Sequence, residues 1–422
     1  MMADRKHSPP SLISETKVKQ TQHARRKRTT QLKHEPVSLS EFTKDLKAAI
    51  LDKKLTPSTM IIESINNPFG RTLTVEMHAK QSPVEQAKVV PNDQLEVFIK
   101  LIAKKYPNAF REIHLTHHDI NDTIAREISA LLIRSQSLED LSLNGNSICR
   151  QGCNSFTQTL VSTGGGVLKS LSLRDNPIGD DAIKSLAAFL ATDPVLESID
   201  LGNVEADVVA LVHLAHSLET NTNLHVLNID RPKKSDKNDE ESSIHLAKAL
   251  RCNSSLHTLS LSKHCMREYG TMWLMEYITD WNQSITSLDL SSNEIPADGA
   301  KYIAKMLSNP KCNITNLNLS SNRITSEGAE ALAKSLEANS SLVTLDLSYA
   351  TITDDGLVAL CDAFSSNKTL RTLLLSGNKF GLKARKSWQE RLGWPVKEGG
   401  IDGSCTLNID TLDFIPLIAP PF

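Results

Sequence analysis

The sequence predicts an α/β solenoid, with parallel strands on a concave face and helices on a convex face, stacked from about ten copies of one strand-helix unit. Three observations predict it. The first is a recurring pattern, clearest in LDLSSNEIPADGAKYIAKML from Leu288, LNLSSNRITSEGAEALAKSL from Leu317 and LDLSYATITDDGLVALCDAF from Leu345. The second is its spacing, since the first apolar strand residue falls at Ile113, Leu141, Leu171, Ile199, Leu227, Leu259, Leu288, Leu317, Leu345 and Leu373, in steps of 28 to 32 residues. The third is a composition that is 40% hydrophobic but only 5% aromatic, which suits many small identical packing units.

One unit explains its own residue types. Leu288 and Leu290 point inward from a short strand and Asp289 points the other way, because side chains alternate along a strand. Asn293 follows where the chain leaves the strand, and its amide can both donate to and accept from backbone groups there. Asn146, Asn176, Asn322 and Asn378 hold the same place, which predicts an internal ladder and not a binding site. Gly299, Gly328 and Gly356 open helices whose Ala, Ile and Leu positions pack back on the strands. Each unit buries some six apolar side chains at roughly 1.5 to 3 kcal/mol each, but only when a neighbour stacks on it. The pattern L-x-x-L-x-L-x-x-N-x-I with this period and a full helix resembles the leucine-rich repeat, in its ribonuclease-inhibitor-like subclass, over about residues 110 to 392.

The flanks differ from the repeats. Residues 1 to 36 carry nine Lys/Arg against three Asp/Glu, so they stand at +6 while the whole chain is at −2. That composition predicts a disordered basic tail, in which Arg25, Arg26, Lys27 and Arg28 form a candidate nuclear or nucleolar address. Residues 37 to 109 predict a cap: a helix from a capping box at Ser38 and Glu41 through about Lys53, a strand in Arg71 to His78, and a helix over Leu95 to Lys105. Residues 393 to 422 leave the repeat, with a strand expected at Thr406 to Ile409 and an apolar, Pro-rich end, DFIPLIAPPF, expected to fold back on the solenoid.

Several functions find no support in these residues. No apolar run approaches the roughly 18 residues of a membrane helix, and MMADRKHSPPSL has no apolar signal core, so a cytoplasmic or nuclear location is expected over a secreted one. Seven scattered Cys suggest no disulfide framework. Cys149, Cys153, His117 and His118 lack further ligands at zinc spacing, and N-x-S/T sequons such as Asn253, Asn282, Asn339 and Asn367 mark the helix-to-strand turn, so neither metal nor glycan is expected. No phosphate loop, nucleophile-base pair or basic aromatic stripe occurs on the repeats. The expectation is therefore a non-catalytic protein-binding scaffold without cofactor, small-molecule substrate or nucleic acid on the solenoid.

Candidate contact residues lie on the strand face and where the repeat breaks. Asp289, Asn318 and Asp346, with Tyr349 beside them, line a small, mildly acidic face. Unit five puts Pro232 at the Asn place and inserts a charged loop, Lys233 to Glu241, and unit six puts His264 there. Asp230, Arg231, Lys263 and His264 are expected on adjacent rungs, able to anchor a partner by charge-assisted hydrogen bonds. In this stretch the run N-x-D-R-P, then E-E-S-x-x-H-L-A-K-A-L, then S-K-H-x-M-x-x-Y-G, and later S-G-N-K-F, resembles the leucine-rich repeat-containing protein 34 family over about Leu224 to Phe380. That resemblance implies germ-cell or stem-cell expression, nucleolar association and a role in ribosome biogenesis. Two alternatives share the repeat: a fixed component of a ciliary or cytoskeletal assembly, and a Ran-type GTPase-activating protein, for which Arg174 is the exposed arginine available.

Overall fold

The computed structural model describes residues 39–55, 72–76, 92–233 and 241–392. The elements run α1 (Leu39–Asp52), β1 (Thr72–Glu76), α2 (Asn92–Lys105), β2 (Glu112–Thr116), α3 (Asp122–Arg134), β3 (Asp140–Ser142), α4 (Arg150–Thr163), β4 (Ser170–Ser172), α5 (Asp180–Leu190), β5 (Ser198–Asp200), α6 (Val208–Leu218) and β6 (Val226–Asn228). They continue with α7 (Glu241–Leu250), β7 (Thr258–Ser260), α8 (Arg267–Asp280), β8 (Ser287–Asp289), α9 (Ala297–Leu307), β9 (Asn316–Asn318), α10 (Thr325–Ala338), β10 (Thr344–Asp346), α11 (Asp354–Ser366), β11 (Thr372–Leu374) and α12 (Leu382–Leu392).

The strands form one sheet whose spatial order is the sequence order, and all pairs are parallel. Register follows the inward apolar residue: Ile113 faces Leu141, Leu141 faces Leu171, and so on to Leu345 facing Leu373. Strands stack about 4.8 Å apart and helices about 8 to 10 Å apart, so the strand side takes the inner arc. The helices close tightly because Gly328 and Gly356 have no side chain; a Cβ on Gly328 would lie 2.9 Å from the Ala300 Cβ.

One continuous core runs from Phe42 to Trp388. Its middle is mainly Leu, Ile and Ala, and its ends are aromatic. Phe42 makes edge contacts with Phe98, Tyr106 and Phe110, and Phe380 does so with Trp388, whose indole donates to the Leu357 carbonyl at 2.9 Å. An end unit has no neighbour to bury it, and a ring covers more surface than a Leu. The strand expected in Arg71 to His78 is β1, which joins the sheet parallel to β2, Leu73 opposite Ile113, so the sheet is one strand longer than the count of ten units. The basic cluster, Ser38, most of the charged loop and the C-terminal segment lie outside the described residues.

Candidate functional site

The strand face is organised by side chains that reach along the sheet. Arg174, just after β4, extends over Gly202 and places its guanidinium 3.2 Å from Asp230, two rungs away, with Asp200 at 3.7 Å and Asp175 at 3.6 Å. It can do so because position 202 is glycine: a Cβ there would stand 2.5 Å from Arg174 Nη1. Burial weakens the guanidinium's hold on its proton, and the carboxylates of Asp200 and Asp230 outweigh that, so its pKa is raised. Burial likewise raises the Asp200 carboxyl, against the lowering influence of the Gly202 N–H and Arg174. The sequence reading of Arg174 as an exposed, solvated residue is therefore corrected; it is the centre of an acidic cluster.

Asp230 is 8% exposed. Its Oδ1 accepts from the Ser260 hydroxyl at 2.6 Å and the Ser262 N–H at 2.8 Å, so it organises the surface more than it offers a free charge. Asp289 accepts from the Ser291 N–H at 2.8 Å and from Asn318 Nδ2 at 2.9 Å, and Asp346 accepts from the Ser348 N–H at 2.8 Å. These residues stand on the face where the alternation put them, each closing a short turn with its own backbone.

Arg231, Lys263 and Tyr349 share one column. Each directly follows the outward residue after the strand, adopts a left-handed backbone (φ 51°, 64° and 54°) and donates its N–H to the next rung, to Ser262, Ser291 and Ser376 respectively. His117, Gly145, Asp175, Asn203, Ser292, Ser321 and Gly377 fill the same column elsewhere. Arg231 and Lys263 are exposed, and Tyr349 is 60% exposed with its ring lying across Gly377. No local signal marks this shared conformation, because Arg, Lys and Tyr are not residues that favour it.

His264 is a correction. It is 2% exposed, and its Nε2 is 2.8 Å from the Ile229 carbonyl, the contact that Asn293 Nδ2 makes with Leu261 one rung on. Burial lowers its pKa to about 4, against the smaller raising influence of the Ile229 carbonyl, so it is neutral at pH 7. It takes the place of an asparagine in the ladder and cannot touch a partner on the strand face.

That ladder is real and has a counterpart. Asn322 accepts from the N–H groups of Asn293 (2.9 Å) and Ile295 (3.0 Å) and donates to the carbonyls of Leu290 (2.9 Å) and Leu319 (2.8 Å). Sequence reading missed a second column at the other end of the strand. Asn253 donates to Leu218 and Asn221 and accepts from the N–H groups of Ser255 and Leu256; Asn282 does the same on its rung, and Asn339 donates to the Leu307 carbonyl and the Ser341 hydroxyl and accepts from the N–H groups of Ser341 and Leu342. Three sequon asparagines are thus buried, with their amides engaged.

Among the described residues, no group of three or more His, Cys, Asp or Glu could hold a metal ion, and no helix is long and apolar enough to cross a membrane. Residues 167–187, 282–304, 311–333 and 338–361 match the family model described as Leucine Rich repeat. Among solved structures, the crystal structure of the Rad7 and Elc1 complex in yeast is similar over 91% of this chain and 91% of that chain, with a TM-score of 0.51 at 17% identity. At that identity the likeness is one of fold. Register, matched segments and neighbour agree: leucine-rich repeats are present in this chain, and its fold is an α/β leucine-rich repeat solenoid.

Proposed function

We propose that this chain is a non-catalytic scaffold holding a protein partner along its strand face. Arg231, Lys263 and Tyr349 are its main contacts, set in the polar surface formed by Arg174, Asp200, Asp230, Asp289, Asn318 and Asp346. The observation that carries the reading is the left-handed column. A residue other than glycine costs about 1 to 2 kcal/mol there, and Arg231, Lys263 and Tyr349, like His117 on the β2 rung, place large, exposed side chains where Gly, Ser, Asp or Asn serve on the other rungs. The turn itself serves the contact between rungs, and the side chains it presents on these rungs include Tyr and Arg, which are favoured at interface hot spots. Among the described residues, eleven strands at about 4.8 Å give an open face roughly 50 Å long, which suits a macromolecule. The similar yeast structure is itself a complex of two proteins.

The test is a quantitative pull-down with wild type, the triple variant Arg231→Ala/Lys263→Ala/Tyr349→Ala, and Lys301→Ala on the helix side as control. Partners held by wild type and the control should be lost by the triple variant. Equal recovery by all three places the contact elsewhere. The resemblance to the leucine-rich repeat-containing protein 34 family supports a finer reading, a nucleolar role in ribosome biogenesis with Arg25 to Arg28 as address. An unchanged nuclear signal after removing residues 1 to 36 rejects that address.

A further inference from the structure

Six of the chain's 13 His fall between positions 213 and 264, on the central rungs where the repeat departs from its pattern. Two of them, His225 and His257, stand at equivalent places, each two residues before the paired inward Leu of its strand, Leu227 in β6 and Leu259 in β7. This edge, where the chain enters the strands, is tied from rung to rung by backbone. His225 donates its N–H to the Glu197 carbonyl at 2.7 Å, His257 to the His225 carbonyl at 2.9 Å, and Thr286 to the His257 carbonyl at 2.9 Å. Earlier along the same edge the neighbours are of opposite charge and pair, Glu139 with Arg111 at 2.9 Å and with Lys169 at 3.0 Å. That alternation stops at the two His. Their ring centres are 5.3 Å apart with the planes tilted by 59°, His225 is half-buried and His257 exposed, and among the described residues neither ring has a hydrogen-bond partner.

Imidazole nitrogen is the ligand that borderline divalent ions prefer, and two free imidazoles on a fixed backbone can hold one ion between them. A metal–nitrogen bond of about 2.0 to 2.1 Å places each ring centre about 3.2 Å from the ion, so two rings held at about 90 to 110° have centres roughly 4.5 to 5.2 Å apart. The observed spacing lies at the end of that range, so bringing one nitrogen of each ring to a common point takes side-chain rotation and no movement of the strands. We propose that His225 and His257 form a two-imidazole chelating site for a divalent ion of the Zn²⁺, Ni²⁺ or Cu²⁺ class. Glu197, one rung before, adds a negative charge in the neighbouring position. Two nitrogens leave the other coordination positions to water or to a partner's side chain, and so the pair stands outside any group of three or more protein ligands. The ion ties β6 to β7, the rungs whose buried polar column holds Pro232 and His264 in place of asparagine. The other cross-rung pair, His216 and His245, meets edge to face at 84° from non-equivalent positions of α6 and α7, which is ring packing without a shared register.

Isothermal titration of the full chain with NiCl₂ at neutral pH tests this. Ni²⁺ is the probe because thiolates, of which the chain's seven Cys are a source, also take Zn²⁺ and copper. Wild type should show a chelating site that His225→Ala or His257→Ala, each alone, weakens by on the order of a hundredfold, with the double variant no weaker than either single one. The same site should survive in His216→Ala/His245→Ala. Ni²⁺ should also raise the thermal midpoint of wild type and not of the single variants, since an ion bound only by the folded rungs stabilises them. Should an alanine variant lack a cooperative transition, His225→Gln and His257→Gln answer by the same two readouts. Equal binding by wild type and the single variants overturns the proposal, as do losses that merely add, the mark of independent histidines, and loss of the site in His216→Ala/His245→Ala. No outcome bears on the strand-face reading, since Arg231, Lys263 and Tyr349 are unchanged in every variant.

Discussion

From β8 to β11 the buried polar column is filled by Asn293, Asn322 and Asn378, interrupted once by Ala350, whereas from β5 to β7 it holds Val204, Pro232 and His264. In the first region every asparagine ties two rungs through both faces of its amide. In the second the backbone makes other arrangements: the Ile178 N–H turns to the Asn176 carbonyl, Lys233 donates to Ala206, and His264 supplies a ring nitrogen toward Ile229. The matched repeat segments cover 167–187 and resume at 282, so they skip these same central rungs. Charge concentrates where the ladder departs, in Arg174, Asp200, Asp230, Arg231 and Lys263. A ladder that no longer needs a uniform asparagine leaves its neighbours on the strand face free to differ from the repeat.

The largest effect expected from breaking this comparison is in the regular region. Asn322→Ala leaves the Asn293 and Ile295 N–H groups buried without an acceptor, a loss of about 3 kcal/mol, visible as a lower urea midpoint. A loss no larger than that of an exposed substitution would show that the ladder is decorative.

Next comes a pH dependence confined to the central rungs. His264 binds its proton at about 4 when folded, against 6.5 in its unperturbed state, so the unfolded chain takes up protons first on acidification. Its contribution is fully present above about pH 6.5 and is lost as pH falls toward 4, amounting to roughly 2 kcal/mol between pH 7 and pH 5. His264→Asn, which restores the regular residue, should fold at pH 7 and flatten that part of the profile. An unaltered profile would mean that other groups set it.

The smallest effect probes the strained column. Lys263→Gly relieves the left-handed backbone and adds freedom to the unfolded chain, for a net gain of about 0.5 kcal/mol. Thermal unfolding of this variant beside wild type reads the sign, and a clear loss of stability would show that Lys263 has a structural role.

The ten repeats were legible because each inward Leu and each ladder Asn answers to a constraint within one unit. The strand β1 was legible as alternation but not as a rung, since its pairing with β2 spans about 40 residues and no repeat motif marks it. Arg174 was legible as an outward residue and no more. Its partnership with Asp230 depends on Gly202 one rung away, a relation of 56 positions that no local pattern expresses. The second asparagine column was visible as sequons, whose burial only the stacked neighbour reveals.

The sequence by itself determined the unit, its direction of stacking in a single parallel sheet, and which residues face the core, because side-chain alternation and apolar spacing are local properties. Tertiary structure decided which exposed-looking groups are available. His264 and Asp230 were drawn into the rungs beneath them, while Arg231, Lys263 and Tyr349 were held outward on a strained backbone. Burial and pairing belong to contacts between units, and a unit does not encode its neighbour.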